Sequence, residues 1–86
     1  MKLNEFNIVE TDHFKERSQE RNINVQEILY GLRDRITELR GYRNLNKELA
    51  YIGNSFSVIF DIHGNNIVFK TVLDQKTNKI YDAIVM

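Results

Sequence analysis

SFSVIFDIHGNNIVFKTVLD, residues 55–74, is where the period of the chain becomes two. Phe56, Val58, Phe60 and Ile62 fall on one side of an extended chain and Ser55, Ser57, Ile59 and Asp61 on the other, which is the pattern of a strand with one dry face. His63-Gly64-Asn65-Asn66 supplies turn residues. Residues 67–74 resume as a strand in which Ile67, Phe69, Thr71 and Leu73 oppose Val68, Lys70 and Val72. Two such runs joined by a tight turn predict an antiparallel hairpin.

The neighbouring segments extend the sheet. Residues 49–52, LAYI, form a short strand before the hairpin; 75–79, QKTNK, read as a turn, and 80–86, IYDAIVM, as the last strand. Short connections predict an antiparallel meander. Far upstream, EFNIVE at 5–10 places Phe6 and Ile8 on one face of another short strand.

Between that first strand and the meander the period is helical. Asn24-Val25-Gln26-Glu27 is a capping-box-like start with Asn in place of Ser or Thr, and Ile23 and Ile28 stand where a hydrophobic staple puts them. Val25, Ile28, Leu29, Leu32, Ile36 and Leu39 follow at helical spacing up to the terminator Gly41, predicting one core helix over 24–40. An earlier helix follows a cap at Thr11 or Asp12. The order of strand, two helices, then strands predicts an α+β fold: two N-terminal helices packed on a twisted antiparallel sheet of about four strands, as a single domain over 1–86. The sheet face away from the helices is expected to be partly open, with the row carrying Lys70 turned to solvent or to a ligand.

Composition bounds the function. The 86 residues hold no cysteine, so disulfides, zinc–thiolate sites and cysteine nucleophiles are excluded. A cysteine-free chain fits a reducing cytoplasm. MKLNEFNIVE, residues 1–10, shows no signal-peptide pattern, and no run reaches membrane-spanning length. Twelve basic residues balance twelve acidic ones, which argues against coating nucleic acid by bulk charge but leaves local basic patches open. Asp61, Asp74 and Asp82 show no compact metal-ligand spacing, and no cofactor motif or glycine-rich phosphate loop is present.

The first helix is the odd element. HFKERSQERNI, residues 13–23, has almost no apolar face, and His13, Arg17 and Arg21 recur four and four along one stripe. Read functionally, the stripe is a phosphate site, with arginines for bidentate oxygen contact and histidine for proton transfer. Read structurally, the arginines lay their stems over the core and pair with carboxylates. A second basic cluster, Arg33, Arg35, Arg40, Arg43 and Lys47, contains only Asp34 and Glu38 as acids and lies beside Tyr42. It reads as an RNA-contacting edge formed by Arg35, Arg40, Tyr42, Arg43 and Lys47, or as a solvated helix face. His63 pairs with His13 as acid and base only if the two approach.

His13-x3-Arg17-x3-Arg21-Asn22-Ile23-Asn24 after Val9-Glu10-Thr11 resembles the opening of small domains of the DUF4258 type, with Asn22 and Asn24 where those domains carry glycine and serine. Ile67-Val68-Phe69-Lys70-Thr71-Val72-Leu73 is similar to a late strand of the same family. The resemblance implies a fold akin to the RelE, ParE and BrnT toxins. Many members of that superfamily cleave RNA, often messenger RNA, without metal or cofactor, while others inhibit a protein target; the ribonucleases are usually more basic than this chain. On that resemblance the expected function is RNA binding with metal-independent cleavage, in which His13 is general base or acid and Arg17, Arg21 and Lys70 stabilise charge on the phosphate. The alternative is a non-catalytic, phage-type inhibitor or accessory module that grips a protein. Any neutralising, antitoxin-like partner is expected to be a separate chain, and no membrane partner is expected.

Overall fold

The computed structural model describes residues 1–45, 48–53 and 56–73, and the backbone of 82–85. Strands β1 (Lys2–Leu3) and β2 (Phe6–Glu10) are followed by helices α1 (Asp12–Glu20), α2 (Val25–Arg33) and α3 (Ile36–Gly41). Strands β3 (Glu48–Ile52), β4 (Ser57–His63), β5 (Asn66–Leu73) and β6 (Asp82–Val85) complete the chain. The fold is α+β, with the N-terminal helices packed on one mixed sheet of order β1-β2-β5-β4-β3-β6. The expected turn over 75–79, and Ser55, Asp74 and Lys47, lie outside the described residues.

The hairpin forms as its sequence predicts. Strands β4 and β5 pair antiparallel, His63 faces Asn66, and Gly64 takes φ +58° in the turn, a conformation that glycine adopts without a Cβ clash. The all-antiparallel expectation is corrected at two pairings: β2 runs parallel to β5 with Ile8 opposite Ile67, and β3 runs parallel to β6 with Ala50 opposite Ala83. Tight turns report only on consecutive strands. These two pairings join strands far apart in the chain, and in the β2–β5 pair matched burial of Ile8 and Ile67 accompanies the register.

A bulge in β5 corrects the expected facing of that strand. Phe60 pairs with Phe69 but Ile59 with Thr71, so Lys70 is the extra residue. The core row therefore runs Ile67, Phe69 and Val72, all fully buried, rather than on through Thr71 and Leu73. On the face away from the core cluster Ala50, Ser57 and Ile59 are also buried, while Asp61, Val68 and Lys70 are half-exposed. That face is dry at one end and wet at the other.

The single helix expected over 24–40 is two. Asn24 caps α2 by accepting from the Gln26 amide at 2.9 Å. The helix stops at Asp34, a residue whose side chain competes for backbone hydrogen bonds. Arg35 leaves helical geometry at φ −110°, ψ 22°, and its amide bonds to the Leu32 carbonyl at 2.9 Å in a tightened last turn. Ile28, Leu29, Leu32 and, after the break, Leu39 all remain in the core. Gly31 is the point where Tyr51, rising from β3, crosses α2: a Cβ at residue 31 would overlap the Tyr51 hydroxyl. Among the described residues no helix is long and apolar enough to cross a membrane.

Candidate functional site

Helix α1 sits on the sheet through a narrow line. Phe14 and Ser18 are its buried residues, and the Phe14 ring lies 5.0 Å from that of Phe69 on β5. Thr11 starts the helix by accepting from the Phe14 amide at 3.1 Å, while its own hydroxyl faces the carbonyls of Phe69 at 3.0 Å and Lys70 at 3.1 Å. The cap thus orients the helix and fastens it to β5 at the bulge.

At 100° per residue, His13, Arg17 and Arg21 fall on one flank of the Phe14–Ser18 line and Lys15, Gln19 and Asn22 on the other. The first flank lies along the end of β5. His13 Nε2 is 3.0 Å from the Thr71 hydroxyl, with the direction of that bond set by the tautomer. Arg21 Nη1 donates to the Val72 carbonyl at 2.9 Å. Arg17, between them on the helix, has a side chain 43 % exposed and lies 3.6 Å from Glu20. One imidazole and one guanidinium are therefore held against consecutive residues of β5, with a loosely paired second guanidinium beside them. Thr71 and the Val72 carbonyl were not singled out in the sequence, because partners 58 and 51 positions away leave no local signal.

Lys70 is placed elsewhere. On the wet sheet face its ammonium lies 2.6 Å from Glu48 and 3.7 Å from Asp61. Glu48 and Asp61 are direct cross-strand neighbours, an arrangement of like charges that is unfavourable without a cation. Lys70 supplies that cation, and its pKa is raised, first by the hydrogen bond to Glu48. His63 lies at the wet end too, 3.9 Å from Asp61. It faces Asn66, five residues before the Thr71 that holds His13, or about 16 Å along a strand. The two histidines are not brought together.

The second basic cluster is largely paired with carboxylates at the surface. Arg40 grips Glu5 with two bonds of 2.7 and 3.0 Å, and Arg43 adds a third at 2.6 Å. Arg43 also lies 5.1 Å from the centre of the Phe6 ring. Arg35 pairs with Glu38 at 3.0 Å. Tyr42 is half-buried and packs against the core rather than offering a free ring. Lys47 falls outside the described residues. Glu5 is the residue missed by counting acids only within 33–47: it sits in the β1–β2 turn beside Asn4, whose φ is +52°. The hydrogen bond from Arg40, ahead of other contributions, lowers its pKa to about 2.

Among the described residues no group of three or more His, Cys, Asp or Glu side chains could hold a metal ion. No protein-family model, curated protein or solved structure matches the chain.

Proposed function

We propose that the flank of α1 carrying His13, Arg17 and Arg21 binds an RNA phosphodiester, and that the chain is a RelE- or BrnT-like, metal-independent ribonuclease of the cytoplasm. The observation that carries this reading is the seating of His13 and Arg21 on Thr71 and Val72, with the partly exposed Arg17 between them. An imidazole held by one ring nitrogen presents a fixed geometry to a substrate proton. In the proposed reaction His13 takes the proton of a ribose 2′-hydroxyl, the 2′-oxygen bonds to the adjacent phosphorus, and the P–O5′ bond breaks. The 5′-oxygen leaves with a proton taken from water, His13 returns its own proton to solvent, and a 2′,3′-cyclic phosphate remains. Arg17 and Arg21 stabilise the charge that gathers on the phosphoryl oxygens. Lys70 does not join them in this reading; it serves as counterion to Glu48 and Asp61.

A second reading, a module that grips a protein, draws on the closure of Arg40 and Arg43 onto Glu5, which takes up much of the second cluster's positive charge. It also draws on Tyr30, which is 63 % exposed and has the Arg33 guanidinium 5.7 Å from its ring centre, since tyrosine and arginine are the residue types that dominate protein interfaces.

The deciding experiment incubates the purified protein with mixed RNA in the presence and absence of chelator. The proposal expects cleavage that chelator does not touch, a loss of about 10²–10⁴ in rate for His13→Ala, and RNA affinity in Arg17→Ala whose dependence on salt is about one charge shallower. RNA that is neither bound nor cut overturns it in favour of the protein-binding module.

A further inference from the structure

The opposite flank of α1 borders a cleft of about 490 Å³, within the size range of small-molecule sites. Glu10, the last residue of β2, stands on one side, and Lys15 and Gln19, one turn apart on α1, on another. The chain between α1 and α2 completes the lining of this open cleft, with Asn22 and the apolar pair Ile23 and Val25. That connection is fixed by its own backbone: the Asn22 amide bonds to the Gln19 carbonyl at 3.2 Å and the Ile23 amide to the Ser18 carbonyl at 2.9 Å. Asn22 holds φ at +53°, a conformation that asparagine tolerates better than most residues. The wall is therefore built rather than loose.

The charges in the cleft are the informative part. Glu10 and Lys15 line the same space, yet they do not form an ion pair with each other or with any other described residue, and the side-chain amides of Gln19 and Asn22 are likewise without a hydrogen-bond partner among the described residues. A carboxylate and an ammonium that border one cleft and do not meet can receive the opposite charges of one ligand. The same cleft holds the amides of Gln19 and Asn22, which both donate and accept, and Ile23 and Val25, which offer hydrocarbon.

We infer that this cleft binds a small aliphatic zwitterion of the free α-amino-acid type. The ligand carboxylate faces Lys15, its ammonium faces Glu10, and its side chain rests on Ile23 and Val25. None of these residues belongs to the His13 flank, so the inference stands or falls apart from the RNA reading.

The test is a nuclear magnetic resonance titration with L-leucine, using backbone amides and the side-chain amides of Gln19 and Asn22 as reporters. The expected result is saturable shifts confined to the cleft residues, with a Kd of about 1 mM, as suits an open site. Two analogues each delete one charge: 4-methylpentanoate lacks the ammonium and 3-methylbutylamine lacks the carboxylate. Each should bind about tenfold more weakly, as should leucine to Glu10→Gln and to Lys15→Met. Shifts that never saturate, shifts spread over the surface, or analogues that match leucine on the unaltered protein would overturn the inference.

Discussion

Helices α1 and α2 are both nine residues long and lie on the same sheet, but they are held to it by different means. Helix α2 buries Ile28, Leu29, Gly31 and Leu32; α1 buries Phe14 and Ser18. What α1 lacks in hydrocarbon it recovers through polar ties to β5, from the Thr11 hydroxyl, His13 and Arg21. A polar helix in a small domain is thus not free of structural duty. The same groups that suggest chemistry also moor the element. Exposure separates the roles: Thr11 and Arg21 are half-buried at the seam, whereas His13 is exposed.

The sharpest way to break this contrast is to truncate the apolar anchor. Leu32 is fully buried, so Leu32→Ala should cost about 2–5 kcal/mol in denaturant unfolding. A loss below about half a kcal/mol would remove α2 from the core and the contrast with it. Next in size is the polar mooring. Arg21→Ala removes a charged donor from a part-buried hydrogen bond to the Val72 carbonyl and should cost about 1–2 kcal/mol, whereas Arg17→Ala loses an exposed pair and should cost under about 0.5 kcal/mol. Equal melting temperatures for the two variants would mean that Arg21 does not moor the helix.

The smallest effect is expected where α3 is tied to the β1–β2 turn through Glu5. Its folded pKa, about 2, lies below the ordinary value of 4.5. A carboxylate shifted this way adds stability that is fully present above its unfolded pKa and is lost as pH falls through the folded one. The contribution should fade between pH 4.5 and about 2, and Glu5→Gln should flatten that part of the stability profile, lowering stability modestly above pH 4.5 and changing little below about pH 2. An unchanged acid slope in the variant would show that Arg40 and Arg43 do not discriminate the charged form.

What the sequence disclosed follows the range of each interaction. The Thr11 and Asn24 caps and the His63–Asn66 turn are written within a few residues of one another, and all are where those residues place them. Strand β1 escaped notice because a two-residue strand has no period to read, although Leu3 is fully buried. The break at Asp34–Arg35 was hidden by apolar residues that keep helical spacing across it. The bulge at Lys70 and the two parallel pairings depend on strands brought together from distant parts of the chain, as do Glu5 under Arg40 and Thr71 under His13. Of the candidate site, the stripe on α1 was legible and its moorings were not.

The crossing of Tyr51 over Gly31 constrains how this chain can change. Both the hydroxyl and the ring carbon that bears it occupy the space a Cβ at residue 31 would need. Phenylalanine at 51 therefore opens too little room, and only a shorter side chain clears the way. Residue 31 accordingly acquires a side chain without displacing the Tyr51 ring only after residue 51 has shrunk, and the return of tyrosine then meets the same overlap. The two positions behave as a ratchet, each state of one deciding which substitutions of the other are survivable.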